Sequence, residues 1–177
     1  MREGYHDCMR KVAELLNAMR QAGVISDYAL FGAAAQMRYT EAVATLDADV
    51  LVAVQEVSRV DVLSPIYAFC AKEGYHHEGE AVRVDAWPVQ FMPVFSTLTE
   101  AAMREADTAD FDGVPLKVVR ADYLAVLALS VGRAKDFARL LALLESSSVT
   151  LDRIAELSRE YGLYDSWLRF KKRFLDE

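Results

Sequence analysis

The stretch that decides the fold is residues 45–54, TLDADVLVAV, in which two aspartates stand directly before an apolar run. The run is apolar at consecutive positions, which predicts a strand covered on both of its faces. Asp47 and Asp49 are two residues apart, so on such a strand their side chains share one face, roughly 7 Å apart by backbone rise. Two carboxylates at the edge of a core are costly unless a positive group lies between them. That group is a metal ion with a phosphate, a neighbouring Arg or Lys, or only water, and the pair alone does not decide among the three.

A pair of carboxylates at this spacing suits a hard divalent cation. Magnesium prefers oxygen ligands and commonly bridges one or two carboxylates to the phosphates of a substrate. Mg²⁺, or Mn²⁺ in its place, polarises a phosphoryl oxygen and activates an attacking hydroxyl. The same spacing is common at solvated strand ends, so a metal site needs support from the surrounding sequence.

The segment before this strand gives such support. Residues 30–35, LFGAAA, predict a strand that ends at Gly32 and runs directly into a helix of small residues. Glycine at the turn lets another group approach the backbone closely, and free N–H groups at the start of a helix favour phosphate oxygens. The alternative is a tight turn in which the alanines only allow close packing.

A strand, a glycine turn, a short helix and then T-x-D-x-D on a second apolar strand resemble the nucleotidyltransferase fold. The resemblance is to small bacterial proteins of the AbiEii-type toxin and minimal nucleotidyltransferase families in particular. The matching residues are Phe31, Gly32, Ala33, Thr45, Asp47, Asp49 and Val50. A second segment, residues 132–140 (GRAKDFARL), is similar to a lysine–aspartate segment of these families.

The resemblance implies a magnesium-dependent nucleotidyltransferase that binds a nucleoside triphosphate and transfers a nucleotidyl group to an acceptor hydroxyl. The implied metal ligands, also catalytic, are Asp47 and Asp49. The implied nucleotide-binding residues are Gly32, Ala33 and Lys135, and Asp136 would fix the helix that follows. The acceptor would belong to a small molecule, a protein or RNA, and a toxin–antitoxin relative would have an antitoxin-like protein partner.

Two positions depart from the pattern of the active members. Ala33 stands where they have Gly or Ser, and its methyl group either crowds the phosphate path or is tolerated. Gln90 stands where they have a third carboxylate, and an amide binds a divalent ion more weakly and cannot act as a general base. Asp85, in the same predicted hairpin, is the substitute third catalytic carboxylate if the connection folds it inward. The sequence therefore favours an enzyme, with a catalytically impaired nucleotide-binding or toxin–antitoxin module as the alternative.

The rest of the chain predicts an α+β architecture. Residues 1–119 mix helical and strand patterns, and the stretch 107–113, DTADFDG, is predicted as an acidic loop before the last strand. Residues 120–177 are helical in period only. The expected structure is a nucleotidyltransferase-like mixed sheet flanked by helices, followed by a C-terminal helical segment packed on that core.

Composition excludes some classes of function. The chain has 177 residues and a formal net charge of −7, which disfavours non-specific binding of DNA, since that requires a basic surface. Its apolar runs fall far short of the ~20 residues that cross a bilayer, so no membrane partner is expected. The charged N-terminus without an apolar leader predicts a cytoplasmic location.

Overall fold

A computed structural model of the chain describes residues 2–41, 45, 47–54, 61–85 and 87–175. The strands are β1 (Asp27–Phe31), β2 (Ala48–Ala53), β3 (His76–Glu78), β4 (Ala81–Val84), β5 (Trp87–Pro93), β6 (Asp107–Phe111) and β7 (Val114–Val118). The helices are α1 (Arg2–Gln21), α2 (Gly32–Gln36), α3 (Ser64–Lys72), α4 (Thr97–Arg104), α5 (Ala121–Val131), α6 (Ala134–Glu145), α7 (Leu151–Glu160) and α8 (Tyr164–Phe174).

The strands form one mixed sheet in the order β3-β4-β5-β2-β1-β7-β6. The central strand is β2, which runs antiparallel to β1 and parallel to β5. Its residues Val50, Leu51 and Val52 are all buried, because a strand with a partner on each side and helices over the sheet has no solvated face. The apolar run after Asp49 is therefore an interior strand, as predicted.

After β7 the described chain contains only helices, from α5 to α8. The sequence of α5, ADYLAVLALSV, is apolar around most of its circumference, and the helix is accordingly buried along most of its length. One continuous hydrophobic core extends from Met9 of α1 to Phe170 of α8. The α+β architecture is confirmed, whereas the boundary drawn at residue 119 stays a prediction. No helix within the described ranges has both the length and the apolar character needed to cross a bilayer.

The acidic stretch at residues 107–113 corrects the sequence interpretation. It is not a loop: β6 pairs with β7 in an antiparallel hairpin that turns at Asp112 and Gly113, both with positive φ. Asp-Gly between two strands is a strong hairpin signal. The acidic side chains fit this strand because β6 lies at the edge of the sheet, where charged residues stay solvated and discourage further strand pairing.

Candidate functional site

The two predicted aspartates open onto a cavity of about 360 Å³. The sheet contributes Asp49 from β2 and Gln90 from β5, and Asp47 lies one residue before β2. The other walls come from α2, from the start of α4, from α5 and from the start of α6. The site therefore lies where one face of the sheet meets both the early helices and the helices that follow β7.

Contact between Gly32 and Asp49 explains why a glycine follows β1. Gly32 has a φ of +68°, and a Cβ at this position would overlap the Oδ2 atom of Asp49 and lie 3.2 Å from its Cγ atom. Phe31, the residue before it, pairs with Asp49 in the antiparallel ladder between β1 and β2. The sheet register thus holds the glycine turn against the carboxylate, so that the group approaching the backbone is Asp49 itself.

Asp47 is oriented by Thr45. The Thr45 hydroxyl lies 3.1 Å from the Oδ1 atom of Asp47 and 3.0 Å from the Asp47 carbonyl oxygen. A hydroxyl that lies within hydrogen-bonding distance of both atoms restricts the orientation of the carboxylate. The threonine of T-x-D-x-D therefore has a local role that its position in the motif alone did not reveal.

The electrostatic environment of Asp49 raises its pKa above the ordinary value. Burial is the main cause and the charge of Asp47 the second, while Arg139, Lys135 and Arg133 act in the opposite direction. The three cations at the start of α6 face this carboxylate but do not offset its burial. A divalent cation beside both aspartates would favour their ionised forms.

The start of α6 is organised by Asp136, whose side chain is only 2% exposed. Its Oδ2 atom accepts hydrogen bonds from the Arg133 backbone N–H (3.2 Å) and from Arg133 Nε (2.7 Å). Its Oδ1 atom accepts from Arg133 Nη2 and from Arg139 Nη1, both at 3.3 Å. Burial acts to raise the pKa of Asp136, but the hydrogen bonds and charge of Arg133 outweigh it and hold that pKa below the ordinary value. Asp136 thus fixes the beginning of the helix, in the role that the resemblance implied.

Lys135 lies between these two arginines and lines the same cavity. Its side chain is exposed, and among the described residues it has no ion-pair partner. The start of α6 therefore presents two arginines held by a buried carboxylate and one lysine that is available to an anion.

Gln90 occupies the place beside Asp49. The two residues are register partners in the parallel pairing of β2 and β5, and both line the cavity. Within the described ranges, no three His, Cys, Asp or Glu side chains come together as a metal site. The donor set at this point is two carboxylates and one amide.

The structure does not bring Asp85 to this set, which corrects the expectation that its connection folds inward. Asp85 lies in the turn between β4 and β5, where Val84 pairs with Trp87, and its carboxylate forms an ion pair with Lys11 of α1. Gln90 lies three residue steps after Trp87 along β5, about 10 Å of chain. The tight turn therefore keeps Asp85 at the far end of the hairpin.

The side chain of Ala33 also lies away from the cavity. The residue is 3% exposed and is not among those that line the site. The methyl group that replaces the usual Gly or Ser is packed inside the protein, so it does not project into the predicted phosphate path.

Four contributors to the site were missed by sequence reasoning. Gln36 of α2 is 2% exposed, and its Nε2 atom donates to the Arg139 carbonyl oxygen at 3.3 Å, which ties α2 to α6. Arg139 follows Asp136 at i+3 spacing, which is a detectable signal for an ion pair on one helix face. Met92 and Phe95 could not have been identified, because the residue type alone does not distinguish a core position from one that lines a cavity.

Comparison with known proteins gives a likeness of fold. No family model and no curated protein matches the chain. A crystal structure of an antigenic nucleotidyltransferase-like protein from Paracoccidioides brasiliensis is similar over 96% of this chain and 98% of that one, with 13% sequence identity and a TM-score of 0.56. The solution structure of the antibiotic-resistance factor ANT(2'')-Ia is similar over 98% and 99% of the two chains, with 11% identity and a TM-score of 0.57. The fold is therefore nucleotidyltransferase-like, as the glycine turn and T-x-D-x-D predicted, and the AbiEii-type assignment stays a prediction.

Proposed function

We propose that this protein binds a magnesium–nucleoside triphosphate in the cavity at Asp47 and Asp49 and transfers its nucleotidyl group to an acceptor hydroxyl. The observation that best supports this function is the convergence on one cavity of two carboxylates, a glycine turn and a cationic helix start. The nucleotidyltransferase-like fold supports nucleotidyl transfer in general.

The donor set fits a hard divalent cation. Asp47 and Asp49 would hold Mg²⁺ or Mn²⁺, and Gln90 could add a neutral carbonyl oxygen. Magnesium commonly takes one or two protein carboxylates and completes its coordination with water and substrate phosphates, so a third carboxylate is not needed for binding. The raised pKa of Asp49 supports this assignment, because a half-buried carboxylate beside another one is stabilised by a cation. A bound magnesium ion would supply charge neutralisation and polarisation of the phosphoryl oxygens.

The triphosphate would lie towards Gly32 and the start of α6. Arg133 and Arg139 are held in place by Asp136, and guanidinium groups form strong paired hydrogen bonds with phosphate oxygens. Lys135 would contribute a further positive charge. Much of the catalysis of phosphoryl transfer comes from such positioning and charge stabilisation.

The proposed reaction forms a bond between the acceptor oxygen and the α-phosphorus. The bond from the α-phosphorus to the oxygen that bridges to the β-phosphate breaks, and pyrophosphate leaves with that electron pair. The hydroxyl proton passes to water, because the neighbouring Gln90 has no basic group to receive it.

Calorimetry with Mg²⁺ and each of the four nucleoside triphosphates tests this function. We expect the wild type to bind at least one of them, and both Asp47→Ala and Lys135→Ala to weaken binding at least tenfold. Lys172→Ala, on the exposed side of α8, is the matched control and should leave the affinity unchanged. Absence of binding by the wild type, or undiminished binding by Asp47→Ala, would overturn the proposal.

The position of Gln90 beside Asp49 favours a second function, nucleotide binding without transfer. It predicts triphosphate binding with no pyrophosphate release, and a gain of release in Gln90→Asp. Pyrophosphate release by the unmodified protein would exclude it.

A toxin–antitoxin role rests on the family resemblance alone. Its partner would be an antitoxin-like protein, and its test is whether co-expression of such a protein relieves growth arrest. A cytoplasmic location is part of the nucleotidyl-transfer proposal, because nucleoside triphosphates are available there.

A further inference from the structure

We propose that the acceptor is an uncharged hydroxyl compound with an apolar body, and that Met92 and Phe95 hold this body next to Gln90. The inference rests on the nucleotidyl transfer proposed above and names the class of its second substrate.

The first observation is an unusual exposure of apolar side chains. Phe95 is 73% exposed, Val131 55% and Met92 39%, and all three line the cavity. The other large apolar side chains that are exposed within the described ranges belong to α7 and α8 and do not line it. Exposed apolar residues that gather at one place mark a binding surface, and small-molecule sites combine such surfaces with a few polar groups.

Phe95 is held in this exposed position by its backbone. Its N–H donates to the Thr99 hydroxyl at 3.3 Å, and the next residue, Ser96, caps α4 through a reciprocal pair of hydrogen bonds with Thr99. These hydrogen bonds fix the point on the backbone from which the ring projects, so less of the chain has to be ordered when a ligand binds.

A second apolar wall lines the same cavity. Leu124 and Leu127 of α5 project into it, as their i, i+3 spacing on one helix face requires. An apolar ligand body between α5 and the residues Met92 and Phe95 would be covered on two sides.

The order of the strands indicates which substrate meets Met92 and Phe95. Across the sheet, β1, β2 and β5 are consecutive, with Gly32 following β1, Asp49 on β2 and Gln90 on β5. In phosphoryl transfer the attacking and leaving oxygens lie roughly in line on opposite sides of the phosphorus. Because the leaving pyrophosphate would lie towards Gly32 and α6, the attacking hydroxyl enters from the β5 side. Met92 follows Gln90 at i+2 on that strand and therefore shares its face.

The charges around the cavity favour an uncharged acceptor. Among the described residues, the carboxylates that line it are Asp47, Asp49 and Asp136. The first two would hold the metal, and Asp136 is already paired with Arg133 and Arg139. The amide of Gln90 can donate to a hydroxyl oxygen or accept its proton in a hydrogen bond, which suits a neutral alcohol better than an ammonium group.

Fluorescence titration with 2-naphthalenemethanol, in the presence of Mg²⁺ and a non-hydrolysable triphosphate, tests the inference. We expect the wild type to bind this neutral apolar alcohol more tightly than 2-naphthalenemethylamine, which has the same ring system with a cationic head. Phe95→Ala and Met92→Ser should each weaken alcohol binding about tenfold, as loss of a buried apolar contact predicts. Leu168→Ala removes an exposed apolar side chain elsewhere and should leave it unchanged. The triphosphate affinity, measured by calorimetry, should stay constant in all three variants.

Three results would overturn the inference. They are alcohol binding that is unaffected by both Phe95→Ala and Met92→Ser, tighter binding of the amine than of the alcohol, and loss of triphosphate affinity in Phe95→Ala, which would assign the ring to the nucleobase. Failure of the proposed function itself is distinguishable, because it would appear as absence of triphosphate binding or of pyrophosphate release by the wild type, and the alcohol titration measures neither.

Discussion

Asp49 is held at an electrostatic cost in the free protein. It is half-buried, lies close to Asp47, and rests against the backbone of Gly32. Desolvation and the neighbouring charge raise its pKa. Functional sites often keep such unfavourable groups because a ligand relieves them. We interpret Asp49 in this way, with the cation as the relieving ligand.

Replacement of Asp49 by Asn should therefore stabilise the free protein at neutral pH. A carboxyl whose folded-state pKa is raised binds more protons in the folded state than in the unfolded one, so stability falls as pH rises from its ordinary value of 3.8 through the higher folded value. Above that window Asn removes the cost, and below pH 3.8 the difference from wild type should vanish. Thermal unfolding of both proteins at a series of pH values measures this difference in stability. An Asp49→Asn protein less stable than wild type at pH 7 would contradict the interpretation.

Gly32→Ala should lower the free energy of unfolding more than the same substitution at another glycine with a similar backbone conformation. Gly23 has a φ of +72°, and no described atom beyond its chain neighbours lies within 4 Å of the place that an added methyl group would take, whereas at Gly32 the same methyl meets Asp49. We expect Gly23→Ala to lower the free energy of unfolding by about 1 kcal/mol, the cost of a left-handed residue. Gly32→Ala should cost about 3 kcal/mol because overpacking adds to it. Equal losses in chemical denaturation would show that the contact with Asp49 does not constrain this glycine.

At the scale of elements, the start of α6 shows what the resemblance added to the reading of the local sequence. The resemblance assigned Lys135 to the phosphates and Asp136 to the helix, and the structure shows Asp136 accepting from the Arg133 backbone. The neighbouring arginines could have been predicted from i, i+3 spacing. The orientation of these arginine side chains towards Asp49 could not have been predicted, because it depends on how α6 packs on the sheet.

Asp136→Asn should destabilise the protein with a pH dependence opposite to that of Asp49→Asn. The folded-state pKa of Asp136 is lowered, since hydrogen bonds from Arg133 outweigh burial, so its contribution is present above pH 3.8 and is lost as pH falls through the lower folded value. We expect a loss of about 2 kcal/mol at pH 7, typical of hydrogen bonds to a buried charge. Asp152 is an exposed aspartate in the first turn of α7, and Asp152→Asn should cause only a few tenths of that loss. Chemical denaturation measures the free energy of unfolding of both variants. Similar losses in the two variants would contradict the role given to Asp136.

The strands show where local sequence is sufficient and where it is not. The run after Asp49 identified β2 because an interior strand is apolar on both faces. The stretch 107–113 was misinterpreted as a loop because its acidic residues outweighed the Asp-Gly hairpin signal. The local pattern of apolar and charged residues therefore predicted the central strand correctly. It did not predict the edge strand, where charged side chains are compatible with sheet structure.

At the scale of the whole molecule, the site joins residues more than one hundred positions apart. Gly32 and Arg139 line one cavity, yet nothing in their local sequences brings them together, and only the family resemblance related the two segments. The position of Gln90 beside Asp49 depends on the register of β2 with β5, which a single sequence does not specify. The position of Asp85 was mispredicted for another reason, because this residue lies in the β4–β5 turn and forms an ion pair with Lys11 of α1.

The acidic balance of the molecule predicts no retention of duplex DNA. With a net charge of −7, the protein lacks the excess of cations that non-specific backbone binding requires. A mobility-shift assay at about 150 mM salt should show free DNA at micromolar protein concentrations. Binding that weakens steeply with added salt would contradict this, and would point to a basic surface that the total charge conceals.

The most direct measurement of the metal–nucleotide site is a crystal structure with Mn²⁺ and a non-hydrolysable nucleoside triphosphate, with the metal located by its anomalous scattering. We predict a manganese peak bound by the carboxylates of Asp47 and Asp49, with the phosphates extending towards Gly32 and Lys135. A metal bound elsewhere, or a triphosphate outside this cavity, would contradict the account.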